Sequence, residues 1–119
     1  MKMTNLAAAF AVLLSLFSTA SVFAAEPLNA WRSQAVRKIV GNMTYPRSAV
    51  NREIEGRAMV KVIVNDSGEI AEHQIIQATG QAVLDREIPK ILERANPLPT
   101  LPADAGTVTV MVPLVWALD

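Results

Sequence analysis

Residues Ile54 to Gly80 read IEGRAMVKVIVNDSGEIAEHQIIQATG, and this stretch decides the fold. Small or β-branched apolar residues occupy every second position of its first half, namely Ala58, Val60, Val62 and Val64. A period of two is typical of a strand with one buried face. Asn65 to Gly68 supplies turn chemistry, because Asn and Asp bond nearby backbone and Gly tolerates positive φ. We therefore expect a β-hairpin, with a return strand from Ile70 to Thr79.

A helix is predicted ahead of this hairpin. A two-stranded hairpin alone is marginal in water, so flanking segments should cover its apolar face. Glu26 to Met43 carries an apolar stripe at three- and four-residue spacing, made of Leu28, Trp31, Ala35, Val36, Ile39 and Val40. Asn29 is a candidate cap for the helix start, and Gly41-Asn42 resembles a stop. We expect Trp31 to be an anchor of the core.

Two further helical segments flank the hairpin. Pro46 to Glu53 predicts a short helix, since proline is well placed at a first helical position. Gln81 to Ala95 predicts another, with Leu84, Ile88, Ile91, Leu92 and Ala95 on one face. Pro89 conflicts with a continuous helix, because an interior proline costs about 3 kcal/mol. We expect either a kink or a helix that starts near Asp85.

The last predicted strand runs from Gly106 to Leu118, after a proline-stiffened connector (Asn96 to Ala105). Its alternate residues are apolar and share a face: Val108, Val110, Val112, Leu114, Trp116 and Leu118. We expect Trp116 to be a second core anchor. Pro113 cannot donate to a ladder, and prolines in sheets are confined to edges or bulges. The sequence therefore predicts an edge strand.

Composition argues against several classes of function. The 119 residues carry 11 basic and 11 acidic side chains, one His and no Cys. Zero net charge gives no indication of nucleic-acid binding. Disulfides, thiolate sites and multi-His metal centres are excluded. His73 has no nucleophile motif nearby, and the carboxylate pairs flank turns, so we predict no catalytic residue, no cofactor and no enzyme.

The N-terminal residues 1–24 are predicted to be a cleaved signal peptide. Lys2 precedes an apolar run from Leu6 to Phe17, and Val22-Phe23-Ala24 is a plausible cleavage site. The alternative is an uncleaved membrane anchor, since Leu6 to Ala25 is just long enough to span a bilayer. Both readings export residues 25–119, which we expect to form one periplasmic domain. The mass of the exported protein distinguishes them.

The ordered series of motifs resembles the TonB C-terminal domain family, from about Trp31 to Leu118. The motifs are Tyr45-Pro46, Glu55-Gly56, Asn65 to Gly68, Thr79-Gly80, Leu84-Asp85 and the Pro97/Pro99 connector before a final strand. The resemblance implies an α+β fold, a three-stranded antiparallel sheet with helices packed on one face. It also implies a periplasmic module that binds outer-membrane transporters by adding a short segment of them as a strand.

Two departures from the family pattern bear on energy coupling. The apolar N-terminal segment has no His, whereas the family's membrane helix carries a Ser and a His used to engage the proton-driven motor. The long proline-rich spacer is also missing. Two hypotheses follow. The first is a TonB-like protein that binds partners in outer-membrane transport. The second is a non-energised structural or assembly factor that uses the same fold to dock a secretion or conjugation machine or to bind the cell wall. His73 stands where the family has an apolar residue, so we expect a bulge or partial exposure there.

The basic residues of the N-terminal half allow two interpretations. They are Arg32, Arg37, Lys38, Arg47, Arg52 and Arg57. They form either a solvated face or a contact with anionic cell-wall polymer or an acidic partner.

The candidate binding site is the edge of the last strand. No fourth strand is predicted to cover it, and an open edge invites pairing with another chain. We therefore expect an extended segment of an outer-membrane transporter or other envelope protein to dock along Thr107, Thr109, Met111, Pro113 and Val115. The alternatives are that the edge is hidden by the connector from Asn96 to Ala105, or by a second copy of the protein in a homodimer.

Overall fold

The predicted hairpin forms two strands of a three-stranded antiparallel sheet in the computed structural model, which describes residues 26–119. Strand β1 (Gly56–Val64) pairs with β2 (Ile70–Gln77) on one side and with β3 (Val108–Trp116) on the other, so the order is β2-β1-β3. The α+β class with a three-stranded sheet is therefore confirmed. The predicted signal peptide, residues 1–24, lies outside the described residues.

The core lies between one face of the sheet and the helices. The inward residues are those at even positions of β1 and β3: Ala58, Val60, Val62, Val64, Val108, Val110, Val112, Leu114 and Trp116. Helical residues complete the same cluster, among them Trp31, Ala35, Ile39, Ile88, Ile91 and Leu92. The opposite face is uncovered, with Met111 46% and Val115 53% exposed. The helices therefore pack on one face of the sheet, as the sequence predicted.

Helix α1 is already formed at residue 26 and ends at residue 41. Trp31, Ala35 and Ile39 are buried at four-residue spacing, and the Trp31 indole N–H donates to the Pro99 carbonyl at 2.6 Å. The predicted N-cap at Asn29 is wrong, because this residue lies inside the helix. The predicted apolar stripe includes Val40, but this residue is 41% exposed and lies outside the core.

Helix α2 (Arg47–Asn51) begins directly after Pro46, as expected for proline at a helix start. Ala49 is its one buried residue, and the helix is short. The half-buried Tyr45 hydroxyl donates to the carbonyl of Ile54, which ties the entry of α2 to the entry of β1. Partial burial, and next the nearby Glu55 carboxylate, raise the pKa of Tyr45 above its usual value.

The titration of Tyr45 can be observed directly, because it is the chain's single tyrosine. Its pKa is raised in the folded state, so its contribution to stability is complete below the usual value near 10 and is lost as the pH rises through the raised pKa. We expect the 295 nm absorbance of the native protein to change at a higher pH than that of the chain unfolded in guanidinium. A native midpoint at or below the unfolded one would contradict the assignment.

Two helices stand where one was predicted between Gln81 and Ala95. Helix α3 (Ala82–Asp85) is separated by Arg86 from α4 (Glu87–Ala95). Pro89 is the third residue of α4, where a backbone N–H has no intrahelical partner in any case. The second of the two expectations is therefore confirmed: the helix that contains Pro89 starts near Asp85, at Glu87.

The turn between β1 and β2 is organised by Asn65. Its side-chain oxygen accepts hydrogen bonds from the backbone N–H of Ser67 (3.2 Å) and Glu69 (3.0 Å). Gly68 follows with φ +94°, and its N–H donates to the Asn65 carbonyl. The turn chemistry predicted from Asn65 to Gly68 is therefore confirmed.

The connector between α4 and β3 packs against this turn. The N–H of Leu98 donates to the Gly68 carbonyl at 2.8 Å, and that of Leu101 donates to Asp66 at 3.2 Å. Leu98 and Leu101 are buried in the core. The connector thus closes the end of the domain where the hairpin turns.

No helix within residues 26–119 is both long and apolar enough to cross a membrane.

Candidate protein-binding edge

No strand within residues 26–119 pairs with the outer edge of β3. In an antiparallel ladder, every second residue of a strand bonds the partner strand through both its N–H and its C=O. The residues in between direct their N–H and C=O groups away from that partner. Pro113 has no N–H to give, and the carbonyl of Thr109 accepts a hydrogen bond from Arg32, a residue of α1. Both observations place the backbone groups of the odd-numbered residues on the side away from β1.

The five predicted site residues follow this edge. Thr109, Met111, Pro113 and Val115 lie in β3 and are exposed on the uncovered face of the sheet. Thr107 is exposed and precedes the strand by one residue. The outward donors are therefore the N–H groups of Thr109, Met111 and Val115, and the gap at Pro113 interrupts them. The exposed side chains and the outward backbone groups of these residues thus lie along one edge of the sheet.

The ladder behind this edge is regular. Nine residues of β3 pair with nine of β1 without a register shift, from Gly56 with Trp116 to Val64 with Val108. An edge that follows an uninterrupted ladder keeps the spacing that an added strand needs. The geometry of β3 is therefore that of a strand ready to accept another.

The other edge of the sheet, on β2, is irregular. Its register with β1 shifts twice, which leaves Ala71 and Ile76 as extra residues between paired positions. Such bulges, together with charged side chains, are devices by which proteins protect an edge from pairing. All of β2 after Ile70 is exposed. Of the two edges, β3 is the better template for an added strand.

His73 lies on this exposed strand. It pairs with Val62, and the two bulges flank it on either side without including it. The expected partial exposure is thus confirmed, while a bulge at His73 itself is wrong. Its side chain borders a shallow groove of about 340 Å³ against α4, lined also by Ile70, Pro89, Leu92, Glu93 and Asn96. No group of three or more His, Asp, Glu or Cys side chains suited to a metal occurs among residues 26–119.

A basic groove lies between α1 and the β3 edge. Its volume is about 420 Å³, and its lining residues are Arg32, Ser33, Val36, Arg37, Val110 and Met111. Arg32 reaches across it to the carbonyl of Thr109. Val36, Val110 and Met111 contribute the apolar part of the wall. A segment added beside β3 would therefore lie next to two guanidinium groups.

The sequence did not predict three hydrogen bonds that basic side chains make to distant backbone carbonyls. Arg32 binds the β3 edge, Lys38 donates to the carbonyl of Pro97, and Arg94 donates to the carbonyl of Asn42 at 2.8 Å. These partners are more than 50 residues away along the chain. Helical spacing identifies which side chains leave the apolar stripe but carries no signal for such contacts.

The connector does not occupy the β3 edge. Its N–H groups at Leu98 and Leu101 are directed to the hairpin turn, and the side chain of Asn96 accepts from the N–H of Ile70, which lies in β2. Further hydrogen bonds join the connector to α1, because the carbonyls of Pro97 and Pro99 accept from Lys38 and Trp31.

Comparison with known proteins agrees with this architecture. A family model described as the Gram-negative bacterial TonB protein C-terminal matches residues 41–118, which is more than half of the chain. The chain belongs to the TonB C-terminal domain family. The resemblance drawn from the ordered motifs is therefore confirmed.

The TonB relatives show how far the likeness extends. A protein TonB of Pseudomonas putida is 30% identical over 95 residues, which cover 77% of this chain and 39% of that protein. This chain thus spans well under half of the relative's length. The solution structure of the Helicobacter pylori TonB C-terminal domain superimposes with a TM-score of 0.66 at 22% identity, over 76% of this chain and 83% of that one. The Pseudomonas aeruginosa TonB C-terminal domain gives 0.52 at 23% identity, over 64% and 78%. At these identities the two structures show the fold alone.

Proposed function

We propose that residues 26–119 bind a partner protein by taking up an extended segment of it as a fourth strand at the outer edge of β3. The partner class is an outer-membrane transporter or another protein of the cell envelope, and the site of action is the periplasm. The observation that carries the proposal is the regular, unpaired edge with its outward backbone groups at Thr109, Met111 and Val115. Family membership supports the choice of partner.

Backbone pairing can supply the affinity. Each hydrogen bond in such a pair contributes about 0.5–1.5 kcal/mol net, so several together reach useful binding energies. The exposed side chains of Met111 and Val115 add apolar surface beside the added strand. Specificity then comes from the surfaces that the partner's side chains meet on the two faces of the sheet.

The function proposed is one of binding and not of catalysis. The described residues hold no buried polar or charged side chain. At enzyme sites, the titratable groups whose pKa values are shifted usually lie in buried surroundings. His73 lies on an exposed strand at the opposite edge of the sheet from β3.

A proline at position 111 should remove the central outward donor of the edge. Met111 pairs with Lys61 without exchanging backbone bonds, so the ladder to β1 stays intact, as it does at Pro113. We expect Met111→Pro to weaken strand addition about tenfold, the upper range for one hydrogen bond. The measurement is capture of detergent-solubilised envelope proteins by immobilised wild-type and variant protein, with identification by mass spectrometry.

Met111→Val is the matched control, because it changes the same side chain and keeps the N–H. Capture of transporters that survives Met111→Val and is lost in folded Met111→Pro protein supports the proposal. Undiminished capture by Met111→Pro would place the binding site elsewhere. Capture of secretion or conjugation components in place of transporters, with the same sensitivity to proline, would favour the assembly-factor hypothesis.

A further inference from the structure

Arg32 occupies part of the proposed docking edge in the free chain. Its guanidinium donates to the outward carbonyl of Thr109, one of the acceptors that an added strand requires. Since a partner N–H and the guanidinium compete for this carbonyl, strand addition must displace or share this contact. Arg32 is therefore positioned to respond when a segment binds.

Within residues 26–119, the two arginines of the groove form no ion pair with an acidic side chain. Within residues 26–119, the ion pair formed is that of Lys90 with Glu87, at 3.4 Å, on α4. No carboxylate of this part of the chain lies within 4 Å of the cationic groups of Arg32 or Arg37. The domain as a whole is close to neutral, so these two charges are a local feature of the groove and not part of a general basic surface.

The geometry of an added strand directs one of its side chains into this groove. Residues directly opposite each other in neighbouring strands project to the same face of the sheet. Val110 faces the helices and lines the groove. The partner residue opposite Val110 therefore projects toward α1, beside Arg32 and Arg37, whichever direction the added strand runs.

We propose that the β3 edge selects an extended segment with Asp or Glu at the position opposite Val110, and that Arg32 exchanges the Thr109 carbonyl for this carboxylate when the segment binds. Arg37 adds a second positive charge to the same position. Val36, next to them, receives an apolar part of the incoming chain. This inference rests on the strand-addition function proposed above.

The exchange has two opposite effects on affinity. Release of the Thr109 carbonyl costs one hydrogen bond of the free chain, which disfavours every segment equally. A carboxylate beside the displaced guanidinium recovers that loss through a charge-assisted hydrogen bond, which is stronger than a neutral one. Neutral segments do not compensate for the lost hydrogen bond, so this exchange favours acidic partners over neutral ones.

The test uses the full chain and terminally blocked eight-residue peptides in which Thr and Val alternate. One central residue of the Val face is Glu, Gln or Lys, and affinity is measured by calorimetry. For the wild type we expect the Glu peptide to bind about two- to fivefold more tightly than the Gln peptide for each arginine engaged, with less difference at high salt. In Arg32→Gln protein this preference should fall, and the Gln peptide should bind at least as tightly as it does to the wild type.

Two further variants separate charge recognition from a structural effect. Arg52→Gln removes an exposed arginine beyond the end of α2, away from the groove, and should keep the full preference for Glu. Arg32→Glu should reverse the preference and favour the Lys peptide. A loss of folding would weaken all peptides alike and would not produce such a reversal.

The outcomes distinguish this inference from the function on which it rests. Equal binding of the Glu and Gln peptides by the wild type, with both weakened by Met111→Pro, would overturn the role of Arg32 and leave strand addition standing. A preference for Glu that persists in Arg32→Gln protein would also overturn it. Failure of all peptides to bind would count against both proposals.

Discussion

Replacement of Trp116 by alanine should lower the free energy of unfolding by about 3–5 kcal/mol. The ring is 3% exposed at the end of β3 and belongs to the core cluster. Its indole N–H also donates to the carbonyl of Thr44 at 3.1 Å, which joins the sheet to the segment between α1 and α2. Alanine would leave a cavity under the strand and an unpaired carbonyl beside it.

Chemical denaturation with guanidinium measures this loss, and Val115→Ala is the matched control. Val115 is the neighbouring residue of the same strand but is 53% exposed, so its truncation should change stability by no more than about 0.5 kcal/mol. Trp116→Phe should fall between the two, because it keeps most of the apolar volume and loses the hydrogen bond. Equal denaturation midpoints for Trp116→Ala and the wild type would show that the inward face of β3 is assigned wrongly.

A methyl group at position 68 should be the most damaging small change in the turn. A Cβ there would lie 2.2 Å from the Leu98 carbonyl oxygen and 2.8 Å from that of Pro99. Gly68 also has φ +94°, a conformation that costs residues with a side chain about 1–2 kcal/mol. Gly68→Ala therefore combines backbone strain with a clash against backbone atoms that flexible side chains cannot relieve.

The same substitution at Gly80 isolates the strain from the clash. Gly80 has φ +82°, and a Cβ there would meet nothing within 4 Å. We expect Gly68→Ala to destabilise the protein by about 1–3 kcal/mol more than Gly80→Ala, the usual range for overpacking. Thermal and guanidinium unfolding of the two variants measures the difference. If the two lose the same stability, the connector does not press on the turn as described.

Local patterns were sufficient to predict most of the fold. The period of two in β1 and β3, the turn residues from Asn65 to Gly68, and the stripe of α1 each follow from chemistry within a few residues. Pro113 indicated an edge because its missing N–H excludes a central position. Pro89 admitted two interpretations, since a proline breaks a helix interior but is tolerated in a first turn.

The remaining features depend on residues that are distant in sequence. The bulges of β2 arise from its pairing with β1. Ile75 and Ile76 are exposed, although isoleucine in a sequence usually indicates a core position. The contact between Arg32 and Thr109 joins a helix to a strand 77 residues later. The candidate edge could thus be predicted, while the basic groove beside it could not.

The position of β1 between its two partners has a consequence for the order of folding. Val64 pairs with Ile70, six residues away, and with Val108, 44 residues away. Closure of the longer loop costs about 2 kcal/mol more in chain entropy. The hairpin of β1 and β2 should therefore form before β3 pairs with β1. During that interval the inner strand has one bare edge, and any extended segment nearby competes with the chain's own third strand for it.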